Sequence, residues 1–397
     1  MQNDSENDAG KPVMGPATRL VTAGREPFAY HGFVNTPIFR GSTVLYPSAD
    51  DFMGRKARYT YGTRGTPTMD ALETAWSELS GAAGTVLVPS GLAAISVALL
   101  SCLRAGDHLL VTDTVYRPTR NFCDGMLKRF GVETTYYDPL AGDGIAALMR
   151  PNTRAVFAES PGSQSFEMQD IPAIAEVAHS RDAIVLIDNT WATPLYFPPH
   201  AHGADIAIEA GTKYLSGHSD LLMGLVSANE RCWKPLRETF DSMAICAGPE
   251  DVFLALRGLR TMGIRLGHHQ ESGLRVARWL EARPEVLRVL HPALESHPGH
   301  ALWKRDYTGA SGLFSIVLKP APRAAVAAFI DALQLFGIGA SWGGFESLVI
   351  PFDCADYRSA TGWNPGGPCL RLHIGLEDVS DLIADLERGF AALAAAR

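Results

Sequence analysis

At 397 residues, with 46% hydrophobic and 20% charged residues, the chain has the make-up of a soluble globular protein with room for two domains or three. A formal net charge of −8 and the lack of a long basic run argue against nucleic acid or an anionic membrane as the main partner. No apolar stretch is long enough to span a bilayer, so no membrane association is expected.

The first 18 residues are polar and carry no apolar signal-peptide core, which makes a cytoplasmic protein the expectation. Residues 1–65 form an N-terminal segment without regular periodicity. From Thr66 the pattern becomes regular: "TPTMDALETAWSELSG" offers Thr66 as N-cap, Pro67 at the first helical position and Gly81 past the end. "TVLVPS" reads as a strand running into the helix "GLAAISVALLSCL". The short apolar runs 108–113, 155–160, 183–188 and 205–210 follow, spaced by helical segments such as "IPAIAEVAHS". That alternation predicts a mostly parallel, doubly wound α/β sheet over 66–260. Near residue 260 the rhythm changes. "LRTMGIRLGHHQESGLRVARWLEA" predicts a long helix broken at Gly267 or Gly273. Strands at 313–318 and 369–375 enclose a helix at 322–336, and Leu382, Ile383, Leu386, Phe390 and Leu393 share one face of a last helix. Residues 261–397 are thus expected to form a smaller α+β domain.

Six cysteines (Cys102, Cys123, Cys232, Cys246, Cys354, Cys369) stand without a C-x-x-C pair, as reduced structural thiols do. His200/His202 and His268/His269 lack an i, i+4 pairing with a carboxylate, and no metal site is expected.

In doubly wound sheets ligands bind beyond the carboxyl ends of the strands. Ser90, Tyr116, Asp188 and Lys213 all fall there. Lys213, on the polar turn of "DIAIEAGTKYLSGHSD", could bind phosphate, act as a base or form a Schiff base with a carbonyl. Asp188 ends an apolar strand and needs a cationic or donor partner, which a protonated pyridine nitrogen would supply. Ser90, Gly91 and Leu92 sit at a strand-to-helix junction whose free N–H groups suit a phosphate. Each has a plainer reading alone, as N-cap, packing residue or surface lysine; their co-occurrence after different strands argues for a site.

"YGTRGTPT", "IDNTWATP", "AGTKYLSGHSD", "SWGGFESL" and "RLHIGLED" together resemble the Cys/Met-metabolism family of pyridoxal-phosphate enzymes, of the fold-type-I transferase-like group. The likeness runs over the chain after about residue 20. It implies pyridoxal 5'-phosphate as cofactor, with Lys213 bonded to it, Asp188 on the pyridine nitrogen and Tyr116 stacked on the ring. Ser90, Gly91, Leu92 and Thr212 would hold the phosphate, and Tyr61 would reach the phosphate of a neighbouring subunit. Arg371 would bind the substrate α-carboxylate, and Ser341 and Trp342 would line the pocket. Thr63 stands where the family commonly has a second phosphate arginine. Arg64, one residue on, could contact the phosphate, the distal substrate carboxylate, or neither. Ala210 stands where the family often has serine.

Trp342 and the terminal "LRLHIGLEDVSDLIADL" resemble the β-eliminating branch, which implies carbon–sulfur cleavage of L-cystathionine to homocysteine, pyruvate and ammonia in methionine biosynthesis. Cysteine or cystine desulfhydration is compatible with the same residues. A γ-synthase, γ-lyase or sulfhydrylase would keep the same cofactor set, and a cofactor-free α/β binding protein is the remote alternative. The resemblance also implies a homotetramer, with residues 1–65 contributing to the neighbouring subunit's site.

Overall fold

In the computed structural model, which describes residues 14–396, the helix expected after Thr66 forms over Pro67–Ser80. Thr66 Oγ1 accepts from the Met69 N–H at 3.3 Å, and Gly81 closes the helix at φ +73°, a conformation that favours glycine. Seven strands follow in one sheet: β1 (Gly84–Val88), β2 (His108–Thr112), β3 (Glu133–Tyr137), β4 (Thr153–Glu159), β5 (Ile184–Asp188), β6 (Ile206–Glu209) and β7 (Gly224–Ala228). Their spatial order is β1-β7-β6-β5-β4-β2-β3, and only β7 runs against its neighbours. The expected mostly parallel sheet is therefore present.

Most of these strands are buried along their whole length, which is why they read as continuous apolar runs. One face packs Val86, Leu109, Phe157, Leu186 and Ile208 against the helices Gly91–Cys102 and Glu230–Met243. β3 lies at the sheet edge with Glu133 exposed, and β7 is made largely of small residues; the sequence pattern missed both.

A second sheet has the order β10-β11-β12-β9-β8, with β8 (Val286–Leu290), β9 (Leu313–Leu318), β10 (Gly337–Ile338), β11 (Leu348–Phe352) and β12 (Cys369–His373). Leu370 and Leu372 of β12 enter a core with Phe314, Phe329 and Phe390, where Leu382, Leu386 and Leu393 of the last helix also pack. Cys369, Arg371 and His373 alternate onto the opposite face. Cys369 there joins a cluster with Ala158, Ile187 and Trp191 from the first sheet. The helix expected over 322–336 spans only Arg323–Asp331, because the Asp385 carboxylate takes the N–H groups of Gln334, Leu335 and Phe336.

The predicted break at Gly267 or Gly273 is absent: Pro249–Glu281 is one continuous helix. Its glycines serve close approach. A Cβ on Gly273 would lie 3.2 Å from Gly312 Cα, and one on Gly258 would lie 2.3 Å from the Leu215 carbonyl oxygen. The helix thus lies directly on the turn after Lys213, and Arg265 donates to the Tyr214 carbonyl at 2.7 Å and the Leu215 carbonyl at 3.1 Å.

The segment after β11 is tied to the first sheet by a buried carboxylate. Asp113 pairs with Arg120 at 2.6 Å and accepts from the N–H groups of Ser359, Ala360 and Thr361 at 2.9–3.0 Å. Burial alone would raise the pKa of Asp113, and these donors outweigh it and hold it below its ordinary value.

Candidate active site

Three adjacent strands of the first sheet finish in acids: Glu159 on β4, Asp188 on β5 and Glu209 on β6. Glu159 and Asp188 face each other in register. All three are raised by burial, and Glu159 and Glu209 rise well above the usual carboxylate range, each with Asp188 as the second cause. The Asp188 shift is limited by the hydroxyl and N–H of Thr190. Both bonds from Thr190 fall on Oδ1, so Oδ2 has no donor among the described residues. Glu209 keeps both carboxyl oxygens buried and without a hydrogen-bond partner among the described residues.

Beside the acids lies one cleft. Ser90, Gly91, Leu92, Tyr116, Asp188, Thr212, Lys213, Trp342 and Arg371 all line it, together with Ala210, Glu159 and Ser163. Ser341 belongs through a bond, since its Oγ takes Lys213 Nζ at 2.7 Å. Tyr61 and Arg64 lie elsewhere on this chain: Tyr61 is about half exposed, and Arg64 pairs with Asp241 at 2.8 Å.

Lys213 is set by the turn after β6, where Lys213 N–H reaches the Ala210 carbonyl at 3.0 Å and the Gly217 N–H reaches that of Lys213 at 2.8 Å. Burial, then Arg371, lowers its amine from 10.5 to about 8, against the pull of Asp188. The Nζ also lies 5.3 Å from the centre of the Trp342 ring. Arg371, lowered by burial to about 10, commits Nη2 to the Ala340 carbonyl at 2.8 Å. Its Nε and Nη1 have no protein acceptor among the described residues, which leaves charged donors for a carboxylate.

Ser90 is a helix N-cap, with Oγ accepting from the Ala93 N–H at 3.1 Å. The N–H groups of Gly91 and Leu92 are left free in the first turn, as the helix geometry requires. A Cβ on Gly91 would come within 2.9 Å of the Ala210 Cβ, so the cradle between the two depends on glycine. Thr212 turns its hydroxyl to the Met223 backbone, accepting from its N–H at 3.0 Å and donating to its carbonyl at 3.2 Å. Tyr116 presents a partly exposed ring and donates its N–H to Glu159 at 2.7 Å. Burial, then Asp188, raises the Tyr116 hydroxyl above its ordinary value.

Glu159 and Glu209 escaped the sequence reading. The signal was present, since "AVFAES" and "DIAIEA" end in an acid just as "AIVLID" does.

The family model of the Cys/Met metabolism PLP-dependent enzymes matches residues 17–391. A protein of Rhizobium johnstonii named "Putative cystathionine beta-lyase" is 57% identical over 385 residues, 96% of this chain and 97% of its own length. The cystathionine beta-lyase of Escherichia coli is 45% identical over 94% of this chain and 98% of its own. Among solved structures, a cystathionine gamma synthase from Xanthomonas oryzae pv. oryzae, in complex with aminoacrylate and cysteine, superposes with a TM-score of 0.90 at 32% identity, covering 98% of this chain and all of that one.

The cleft fits the cofactor of that family. It offers a lysine with a depressed pKa, a buried carboxylate oxygen without a donor, and free N–H groups over a glycine cradle.

Proposed function

The chain belongs to the Cys/Met metabolism PLP-dependent enzyme family, and from that premise we propose that it is a cystathionine β-lyase. The observation that carries the reading is the convergence of Lys213, Asp188 and Arg371 on one cleft beneath Trp342. In this reading Lys213 would hold the cofactor's aldehyde carbon, Asp188 its pyridine nitrogen, Tyr116 its ring, and Ser90, Gly91 and Leu92 its phosphate. Thr212 would add its hydroxyl there. Pyridoxal phosphate, when bound, supplies the sink for the electron pair left on Cα.

The chain's own residues do the rest. Arg371 binds the α-carboxylate with the guanidinium N–H groups that its protein contacts leave free, fixing the Cα–H bond toward the lysine. Once the substrate's own amine has displaced Lys213 from the cofactor, a pKa of about 8 leaves the lysine a workable fraction of free amine near neutral pH, and that amine takes the Cα proton. The Cβ–S bond then breaks, its electron pair goes to sulfur, and a proton from Lys213 or Tyr116 lets homocysteine leave as the thiol. Water converts the remaining three-carbon fragment to pyruvate and ammonia.

The reading extends to a cytoplasmic homotetramer. Phe28, Phe33 and Leu45 of the N-terminal segment are exposed on the single chain, an apolar surface that a neighbouring subunit would cover. Tyr61 and Arg64, outside their own chain's cleft, then belong to the neighbour's site. Among the described residues no helix is long and apolar enough to cross a membrane.

A γ-acting enzyme is the second reading, favoured by the structural likeness to a γ-synthase. Product analysis on cystathionine, cystine, methionine and O-acetylhomoserine separates the two. Pyruvate from cystathionine supports β-elimination, whereas 2-oxobutyrate or a γ-replacement product overturns it.

A further inference from the structure

We propose that His373 is a positioning residue which, backed by His269, fixes the 341–344 turn over Lys213 and so places Ser341 and Trp342 for the reaction. The inference rests on the reading of Lys213 as the reacting lysine.

β12 carries Arg371 and His373 on one face, two residues apart. Arg371 grips the front of the turn at the Ala340 carbonyl. His373 grips the back: its Nε2 meets the Gly343 N–H at 3.1 Å and lies 3.2 Å from the Gly344 carbonyl oxygen. Gly343 has φ +85°, and a Cβ there would lie 2.9 Å from the Lys213 carbonyl carbon. The turn therefore rests on the backbone of the lysine whose Nζ bonds Ser341. A slide of the turn moves Ser341 and Trp342 together.

His269 comes from the long helix Pro249–Glu281. Its Nδ1 faces the Ile374 carbonyl at 2.8 Å, and a carbonyl only accepts, so Nδ1 carries the proton and Nε2 is a lone pair. That Nε2 is buried without a partner, as is Nδ1 of His373. If His373 Nε2 accepts from Gly343, its Nδ1 bears a proton, and neither that N–H nor the His269 lone pair has a hydrogen-bond partner among the described residues. The rings are 5.2 Å apart between centroids. The other tautomer would donate to Gly344 and leave lone pairs on both orphans, with the Gly343 N–H unbonded as well. The Gly343 N–H points at Nε2 and has no other acceptor among the described residues, which selects the Nδ1–H form. Tyr214 closes the third side of the pair. Burial keeps both rings neutral, with His269 pushed down to about 4 and His373 well below its ordinary value. A neutral ring adds no third cation next to Lys213 and Arg371.

The test uses the holoenzyme with His373→Leu and His373→Gln, and ¹⁵N imidazole NMR on the wild type. Glutamine can offer its carbonyl to Gly343 and its amide N–H to Gly344. The leucine variant is expected to lose about 10- to 100-fold in kcat, as a misplaced turn does, while the glutamine variant stays within about threefold of wild type. NMR is expected to show His373 as the neutral Nδ1–H tautomer. Wild-type kcat in the leucine variant, equal losses in both variants, or an Nε2–H signal overturns the proposal. If the leucine variant does not fold, the glutamine variant and the tautomer decide. Borohydride labelling of the same proteins separates the two readings: label absent from Lys213 sinks the reading of the lysine, whereas label present with unaffected variants sinks only the role of His373.

Discussion

The lysine side and the arginine side of the cleft are built by different rules. Glu159, Asp188 and Lys213 stand at or just past the ends of neighbouring strands in one sheet, each placed by its own strand. Arg371, Ser341 and Trp342 come together only through contacts that span some thirty residues of sequence, between β12 and a turn with no regular structure. The first side is rigid because a buried parallel sheet is rigid. The second is only as well placed as the side chains that fasten it. On the proposed reading, cofactor chemistry is anchored in the sheet, and substrate selection in the turn.

The largest effect that would break this division is expected at Lys213. Lys213→Ala should lower pyruvate release by about 10³-fold or more without unfolding the chain, since the base is lost and the sheet is untouched. A variant retaining near-wild-type rate would remove the lysine from the chemistry. Asp188→Ala comes next. A drop of about 10²-fold in kcat is expected, with weaker retention of the bound cofactor's absorbance on dialysis, because one buried electrostatic partner is removed. On the other side, Arg371→Lys keeps the charge and loses the fork. The KM for cystathionine should rise by about 10- to 100-fold with a smaller change in kcat, the reverse of the sheet-side pattern.

The smallest effect sharpens the contact between the two sides. Ser341 Oγ accepts from Lys213 Nζ and so favours the charged amine. In the cofactor-free chain, the reactivity of Lys213 toward an amine reagent should rise with pH through about 8. Ser341→Ala removes an acceptor from the ammonium form, so the same rise should move to lower pH. A shift upward would contradict the bond.

The same division governs what could be read from the chain. β1, β2, β4, β5 and β6 are legible because burial on both faces leaves them mostly apolar, and their ends point to Asp188 and Lys213. β7 is not, because Gly224, Ser227 and Ala228 carry no strand signature without the partners that bury them. Gly267 and Gly273 suggested a break, yet a helix tolerates glycine where packing supports it, and Gly273 meets Gly312. Arg371, Ser341 and Trp342 entered through family resemblance alone. Spacing could not have joined residue 341 to residue 213. The pairing of His269 with His373 lay deeper still: the sequence shows two histidines about a hundred residues apart, and only the crossing of β12 with the long helix brings the rings together.

The account stands on the covalent attachment of pyridoxal phosphate at one amine. The most direct measurement is borohydride reduction of the pyridoxal-phosphate-loaded protein, followed by mass mapping of its peptides. The expected result is a single reduced pyridoxyl adduct on the peptide that contains Lys213. An adduct on another lysine, with Lys213 unmodified, would contradict it.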